Sequence, residues 1–203
     1  MLYTAQMENN RQAFVKFALQ YAGSASTGKR ANEYLDLLTR RFETDQMRQD
    51  MVKMSSCALF IRSLWWCFGT EHELYDKPYK ISNAPIDVLT IAKGKGAYHS
   101  GAILSPVHCP KAGDAFYIAT KDGKREHFGL ITKPLSIQPS LWKYETIEGG
   151  QGPGGRAIEK LTRSVIKTGS PHGTMGDRLL IGWVDFDTLA LPGLRTGWEN
   201  KKG

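Results

Sequence analysis

A change of hydrophobic period midway along this 203-residue chain limits its fold more than any other feature. Before residue 70, apolar side chains recur at helical spacing; from Gly113 onward they alternate or run in short stretches bounded by turn residues. Phe14, Phe17, Ala18 and Tyr21 fall at i, i+3, i+4 and i+7, with Asn9 or Asn10 placed to cap and Gly23 to stop the helix. After the polar loop 23–28, a second stripe is formed by Ala31, Tyr34, Leu35, Leu38 and Phe42. A third helix is expected from Ser55 or Ser56 to Gly69, with Ile61, Leu64, Trp65 and Phe68 along one side.

Ala115–Ala119 and Glu126–Thr132 read as strands joined by Lys121-Asp-Gly-Lys124, whose Asp-Gly pair is a hairpin turn signal. Trp142–Glu148, Ala157–Lys167 and Arg178–Val184 read as further strands. Residues 70–112 show no sustained period and carry four prolines, so long loops with one short helix near Ile86–Ala92 are expected. No repeat or linker divides the chain. The expectation is one catalytic domain over 1–203: a helical region over 1–69, a loop-rich insertion over 70–112 and a sheet region over 113–190. Helices followed by antiparallel strands make an α+β pattern, with the N-terminal helices packed on a central antiparallel sheet.

Composition narrows the function classes. Hydrophobic residues at 41% and charged residues at 23% are ordinary for a globular protein. Three cysteines suggest no disulfide framework. A formal net charge of +7 favours anionic partners, among them nucleic acid, anionic lipid and bacterial cell wall. The basic residues are scattered, and no basic helix or zinc-finger spacing is present, so nucleic acid is not expected. The apolar run 58–68 is interrupted by Arg62 and Ser63 and is too short for a membrane span. The first ten residues lack the basic start and apolar run of a secretory signal. The expectation is synthesis in the cytoplasm and, for action elsewhere, delivery by a secretion system or holin-type release. A monomer without a cofactor is expected.

Cys57 would occupy the first turn of the third helix, where orphan N–H groups and the helix dipole favour a thiolate. An inert buried cysteine is the plain alternative. His127 opens the strand after the hairpin and suits a general base; otherwise it is an exposed histidine between charged neighbours. Gly129, two residues on and on the same face, leaves room for an approaching group and is a candidate substrate contact. Glu148 ends the next strand, where a carboxylate can orient the imidazole; Gln151 is its rival and a second candidate substrate contact. Cys67 reads as packing. Cys109 beside His108 is a competing reactive pair. His72, His99, His108, Cys109 and His172 lack metal-ligand spacing, so no metal site is expected. The glycine-rich stretch 149–155 lacks the Lys-Ser/Thr of a phosphate loop and reads as a mobile flap beside the site.

The order of these features resembles the papain-like peptidoglycan cysteine hydrolases of the NlpC and CHAP families. It consists of a helix-start Cys57, Gly113-Asp114 leading a strand, His127-Phe-Gly-Leu-Ile131, then Thr146-Ile-Glu-Gly149. Phe17-Ala-Leu-Gln-Tyr-Ala-Gly23 is similar to the helix preceding the nucleophile in NlpC members, and Pro110 with Lys111–Tyr117 to their Pro…Gly-Asp segment. The resemblance covers under half the chain; Ser56-Cys57-Ala58 and the long gap to His127 depart from the family pattern. It implies a papain-like fold with Cys57 as nucleophile, His127 as base and Glu148 as polar third residue. It also implies amide hydrolysis in peptidoglycan peptides by a lysin or an interbacterial effector, the latter with a cognate immunity protein. The alternatives are a deamidase, transglutaminase or acyltransferase acting on protein or lipid, and a non-catalytic wall-binding module.

Overall fold

The computed structural model describes residues 2–39, 57–71, 85–167 and 169–189. Its helices are α1 (Leu2–Leu19), α2 (Ala31–Thr39), α3 (Cys57–Glu71), α4 (Pro85–Gly94) and α5 (Phe186–Leu189). Its strands are β1 (Tyr98–Ser100), β2 (Ala115–Ala119), β3 (Glu126–Gln138), β4 (Leu141–Gln151), β5 (Ala157–Ile166), β6 (Thr174–Met175) and β7 (Arg178–Val184).

The strands run antiparallel in the order β7-β2-β3-β4-β5-β6, and β6 pairs back onto β7. Six strands therefore close into a barrel, with β1 lying outside the circuit against β7. This overturns the expected papain-like α+β fold, in which helices pack on a central sheet. Closure depends on β6, two residues long, which meets β5 through Ile166 and Thr174 and β7 through Thr174 and Met175. Bulges bend the long β3–β4 pair at Ile131/Lys133 and Pro134/Ser136. Such irregularities increase local twist, and they also accommodate a proline inside a strand.

Alternation along β2 separates two cores. Ala115, Tyr117 and Ala119 face outward with Phe128, Leu130 and Ile147, against Phe14, Phe17, Leu38 and the length of α3. Phe116 and Ile118 face inward with Ile131, Trp142, Tyr144, Val165 and Trp183, filling the barrel as side chains fill small barrels generally. Helix α3 is buried almost all round, as a helix apolar on every side must be, and it lies against β3 and β4. Helix α1 starts well before Asn9 and Asn10, so neither caps it. The polar first turns simply continue the helix, with Gln12 donating to Glu8 one turn back at 3.1 Å. The expected caps Ser55 and Ser56, together with Phe42 and His72, lie outside the described residues. Among the described residues, no helix is long and apolar enough to cross a membrane.

One ionic knot ties the helical layer to the barrel. Arg11 of α1 is 3% exposed; its guanidinium donates to Asp114 at 2.6 Å and to Asp187 at 2.7 Å, and lies 3.5 Å from Asp185. Asp114 also accepts from the backbone N–H of Lys111 at 2.8 Å and of Phe186 at 3.1 Å. Gly113 is a glycine for this reason: its φ is +91°, and a Cβ there would stand 2.9 Å from the Arg11 stem. Removing one partner of a buried pair leaves the others uncompensated. Arg11→Met should accordingly lower the urea-unfolding free energy by about 3–5 kcal/mol. A loss below about 1 kcal/mol, the worth of a surface pair, would show that the knot holds nothing together.

Candidate active site

His127 is the second residue of β3, opposite Ile118 of β2, and shares the inward face with Gly129 and Ile131. Glu148, near the end of β4, alternates with Trp142, Tyr144 and Thr146 onto the same interior. The strand pairing thus delivers His127 and Glu148 to one end of the barrel, while α3 brings Cys57 to it from the helical layer. His127 Nε2 lies 2.7 Å from Glu148 Oε2, and the Cys57 thiol hydrogen-bonds the same ring. With Nε2 held by the carboxylate, Nδ1 is the nitrogen left for the sulfur. Cys57 and His127 are each 6% exposed and Glu148 is fully buried.

Glu148 is bound on every side. Thr146 Oγ1 donates to Oε1 at 2.6 Å; Arg163 of β5 donates through Nε to Oε1 at 2.8 Å and through Nη2 to Oε2 at 2.6 Å. Gln151 Nε2 stands 3.4 Å from His127 Nε2 and 3.5 Å from Glu148 Oε2, at the long limit of hydrogen bonding. The carboxylate therefore orients the ring, and Gln151 stands beside the pair. Sequence reasoning missed Arg163, because a basic residue alternating with polar neighbours in a strand reads as solvated.

Burial opposes ionisation of Glu148 most strongly, yet the bonds from Arg163 and His127 outweigh it and hold its carboxyl at about 2. Burial likewise pulls His127 down, but its bonds to Cys57 and Glu148 prevail and raise it above the usual imidazole value. An imidazolium held beside a thiol favours the thiolate.

Two glycines carry the close packing. A Cβ on Gly129 would fall 2.4 Å from Phe116 Cζ and 2.7 Å from Glu148 Cγ. The space a side chain at Gly129 would take is thus filled by Phe116 and Glu148. Gly150 has φ of +77°, and a Cβ there would sit 3.2 Å from the Cys57 nitrogen and 3.4 Å from its Cβ. Gly149–Gln151 is not a free flap: it finishes β4, bulging at Gly150 while still paired with β5, and so passes directly beside Cys57.

The competing groups are placed elsewhere. Cys67 is 1% exposed in the outer core. The Cys109 thiol contacts the Pro106 carbonyl at 3.7 Å, and burial pushes it up, away from the reactive thiolate. His108 packs on His99 and Trp183 at ring separations of 4.9 and 5.2 Å. His172 contacts the Leu180 carbonyl through Nδ1 at 3.2 Å. Among the described residues, no group of three or more His, Cys, Asp or Glu converges to hold a metal ion.

The chain matches no protein-family model, no curated protein and no solved structure.

Two measurements probe this geometry. A carboxyl held down by folding contributes stability that is complete above its ordinary value of 4.5 and drains away as pH falls toward about 2. The stability difference between wild type and Glu148→Gln in urea melts should therefore shrink by up to about 3 kcal/mol as pH is lowered through that window. A difference that stays flat means the carboxylate is not held. Gly150→Ala places a methyl against Cys57 at a left-handed backbone position, costing about 1–3 kcal/mol of stability. It should also slow Cys57 alkylation about tenfold, since the methyl displaces the sulfur from the ring; an unchanged rate counts against the close approach.

Proposed function

We propose that this protein is a cysteine hydrolase of amide bonds and that its substrates are the peptides of bacterial peptidoglycan. The observation that carries the reading is the His127 ring held between the Cys57 thiol and the buried Glu148 carboxylate. A nucleophile, a base and an orienting group in that sequence of contacts are the parts acyl transfer needs. The wall as substrate is supported by the net charge of +7, which favours an anionic polymer, and by an order of sequence segments that resembles that of wall hydrolases.

In the proposed reaction, His127 Nδ1 takes the thiol proton and the Cys57 sulfur attacks the amide carbonyl carbon. The oxyanion forms at the start of α3, where first-turn N–H groups have no intrahelical acceptor and the dipole favours negative charge. Collapse of the tetrahedral species breaks the C–N bond as the imidazolium gives its proton to the leaving amine. Water, deprotonated by His127, then cleaves the thioester and restores the thiol. Through both halves Glu148 accepts the Nε2 hydrogen and stabilises the imidazolium, as the carboxylate of a triad does.

Muropeptides incubated with wild-type protein should gain one water and one new amine for each bond cut, read by mass spectrometry. Cys57→Ala should abolish this, a loss of about a thousandfold or more, while leaving the circular dichroism spectrum and melting temperature in place. Full activity in that variant would sink the reading. Inert muropeptides together with deamidation of a protein glutamine would move the activity to protein substrates.

A further inference from the structure

Glu148 carries a problem that the three-residue site does not solve. A fully buried carboxylate is driven toward its neutral acid, and its partner in register across β4–β5, Glu159, is not a cation that could offset this. The charged and titratable groups around Glu148 are His127 from β3, with Cys57 of α3 acting on that ring, and Glu159 and Arg163 from β5. Thr146 and Gln151 bond to it but bring no charge. Among the described residues, Arg163 is thus the one permanently charged cation bonded to it. It is also the one group bound to both oxygens, in the parallel fork that guanidinium and carboxylate form best.

The state of Glu148 decides whether His127 can act. An ionised carboxylate is acceptor-only, so it requires a hydrogen on Nε2 and leaves the Nδ1 lone pair for the Cys57 proton. A neutral Glu148 would donate its O–H to Nε2 instead. The hydrogen of a neutral ring would then sit on Nδ1, pointing at Cys57, and nothing could take the thiol proton. We propose that Arg163 is a positioning residue that keeps Glu148 ionised and thereby sets the His127 tautomer in which Nδ1 can serve as base. It never touches the reacting atoms. The side chain is 31% exposed whereas Glu148 is fully enclosed, so Arg163 reaches in from an accessible position. A methionine there would bury no new polar group.

The proposal rests on the cysteine-hydrolase reading, and the test separates the two. Nitrogen chemical shifts of the His127 ring and the pH dependence of Cys57 alkylation by iodoacetamide, read on the Cys57-containing peptide, need no substrate. Wild type should react faster than free cysteine at neutral pH and carry a hydrogen on Nε2 in both the neutral and the protonated ring. Arg163→Met should react about tenfold or more slowly at neutral pH, with the ring hydrogen on Nδ1. As pH rises it should recover above the Glu148→Gln curve, its midpoint displaced upward by about one to three units. Arg163→Lys keeps the charge without the fork and should fall between. If Arg163→Met does not fold, the lysine variant alone decides by whether its midpoint moves upward. An unmoved midpoint and unchanged tautomer, with wild type still fast, overturn the role of Arg163 and leave the hydrolase standing. A wild-type Cys57 no faster than free cysteine overturns the hydrolase, and the role of Arg163 with it.

Discussion

Placing an ionised carboxylate where water cannot reach costs several kcal/mol unless charge and hydrogen bonds replace the lost hydration. Glu148 meets that demand with four close donors drawn from three adjacent strands: His127 on β3, Thr146 on β4, and two nitrogens of Arg163 on β5. A slip of one residue in either pairing would turn its partner to the opposite face and leave the carboxylate uncompensated. The alternating apolar residues set the strand register, and Glu148 penalises every other register. Buried polar networks that are fully satisfied give this kind of uniqueness to a core. The glycine at 129 belongs to the same constraint, since Glu148 and Phe116 need the space a side chain would take.

His127 and Glu148 are fixed by the barrel, but Cys57 stands outside it. Cys57 depends on α3 staying seated on β3 and β4, and the outer core formed with α1 and α2 keeps it there. Arg11 secures α1 to the segment entering β2 and to the turn after β7, and Gly23 and Ser24 stitch the chain leaving α1 onto Ile158 of β5. A displacement of about 1 Å between nucleophile and base is enough to cost orders of magnitude in rate. The helical layer thus contributes to function through position, and the approach of Gly150 to the Cys57 backbone is where the two layers meet.

Much of this was legible residue by residue. Strands β2 and β7 begin and end where alternation and turn residues say, and Cys57, His127 and Glu148 do meet. Closure was not legible, because β6 is two residues long and has no period to read. The segment expected as loop likewise hides β1, three residues whose pairing is supplied by β7 rather than by their own pattern. Gly113-Asp114 was visible as a pair, but its purpose was not. The pair exists for Arg11, a hundred residues away in sequence, and no local window contains both. Arg163 was hidden for the opposite reason: its neighbourhood is polar, and its partner becomes known only after β4 and β5 are in register.

The two buried carboxylates show how donor number sets chemistry. Asp114 and Glu148 both face arginine inside the protein, yet burial carries Asp114 up to about 6 while Glu148 is held at about 2. Arg11 divides one guanidinium among Asp114, Asp185 and Asp187, and the charge of Asp185 works against ionisation of Asp114. Arg163 gives its whole fork to Glu148, and His127 adds a bond on the other side. Their linkage to folding has opposite sign. Asp114 favours the fold below its ordinary 3.8 and loses that contribution as pH rises through about 6, whereas Glu148 contributes above 4.5 and loses it on acidification. A structural carboxylate tolerates a shared cation because it only has to hold two layers together, in either protonation state. In the proposed hydrolase, the carboxylate that keeps an imidazole in one tautomer has a cation to itself.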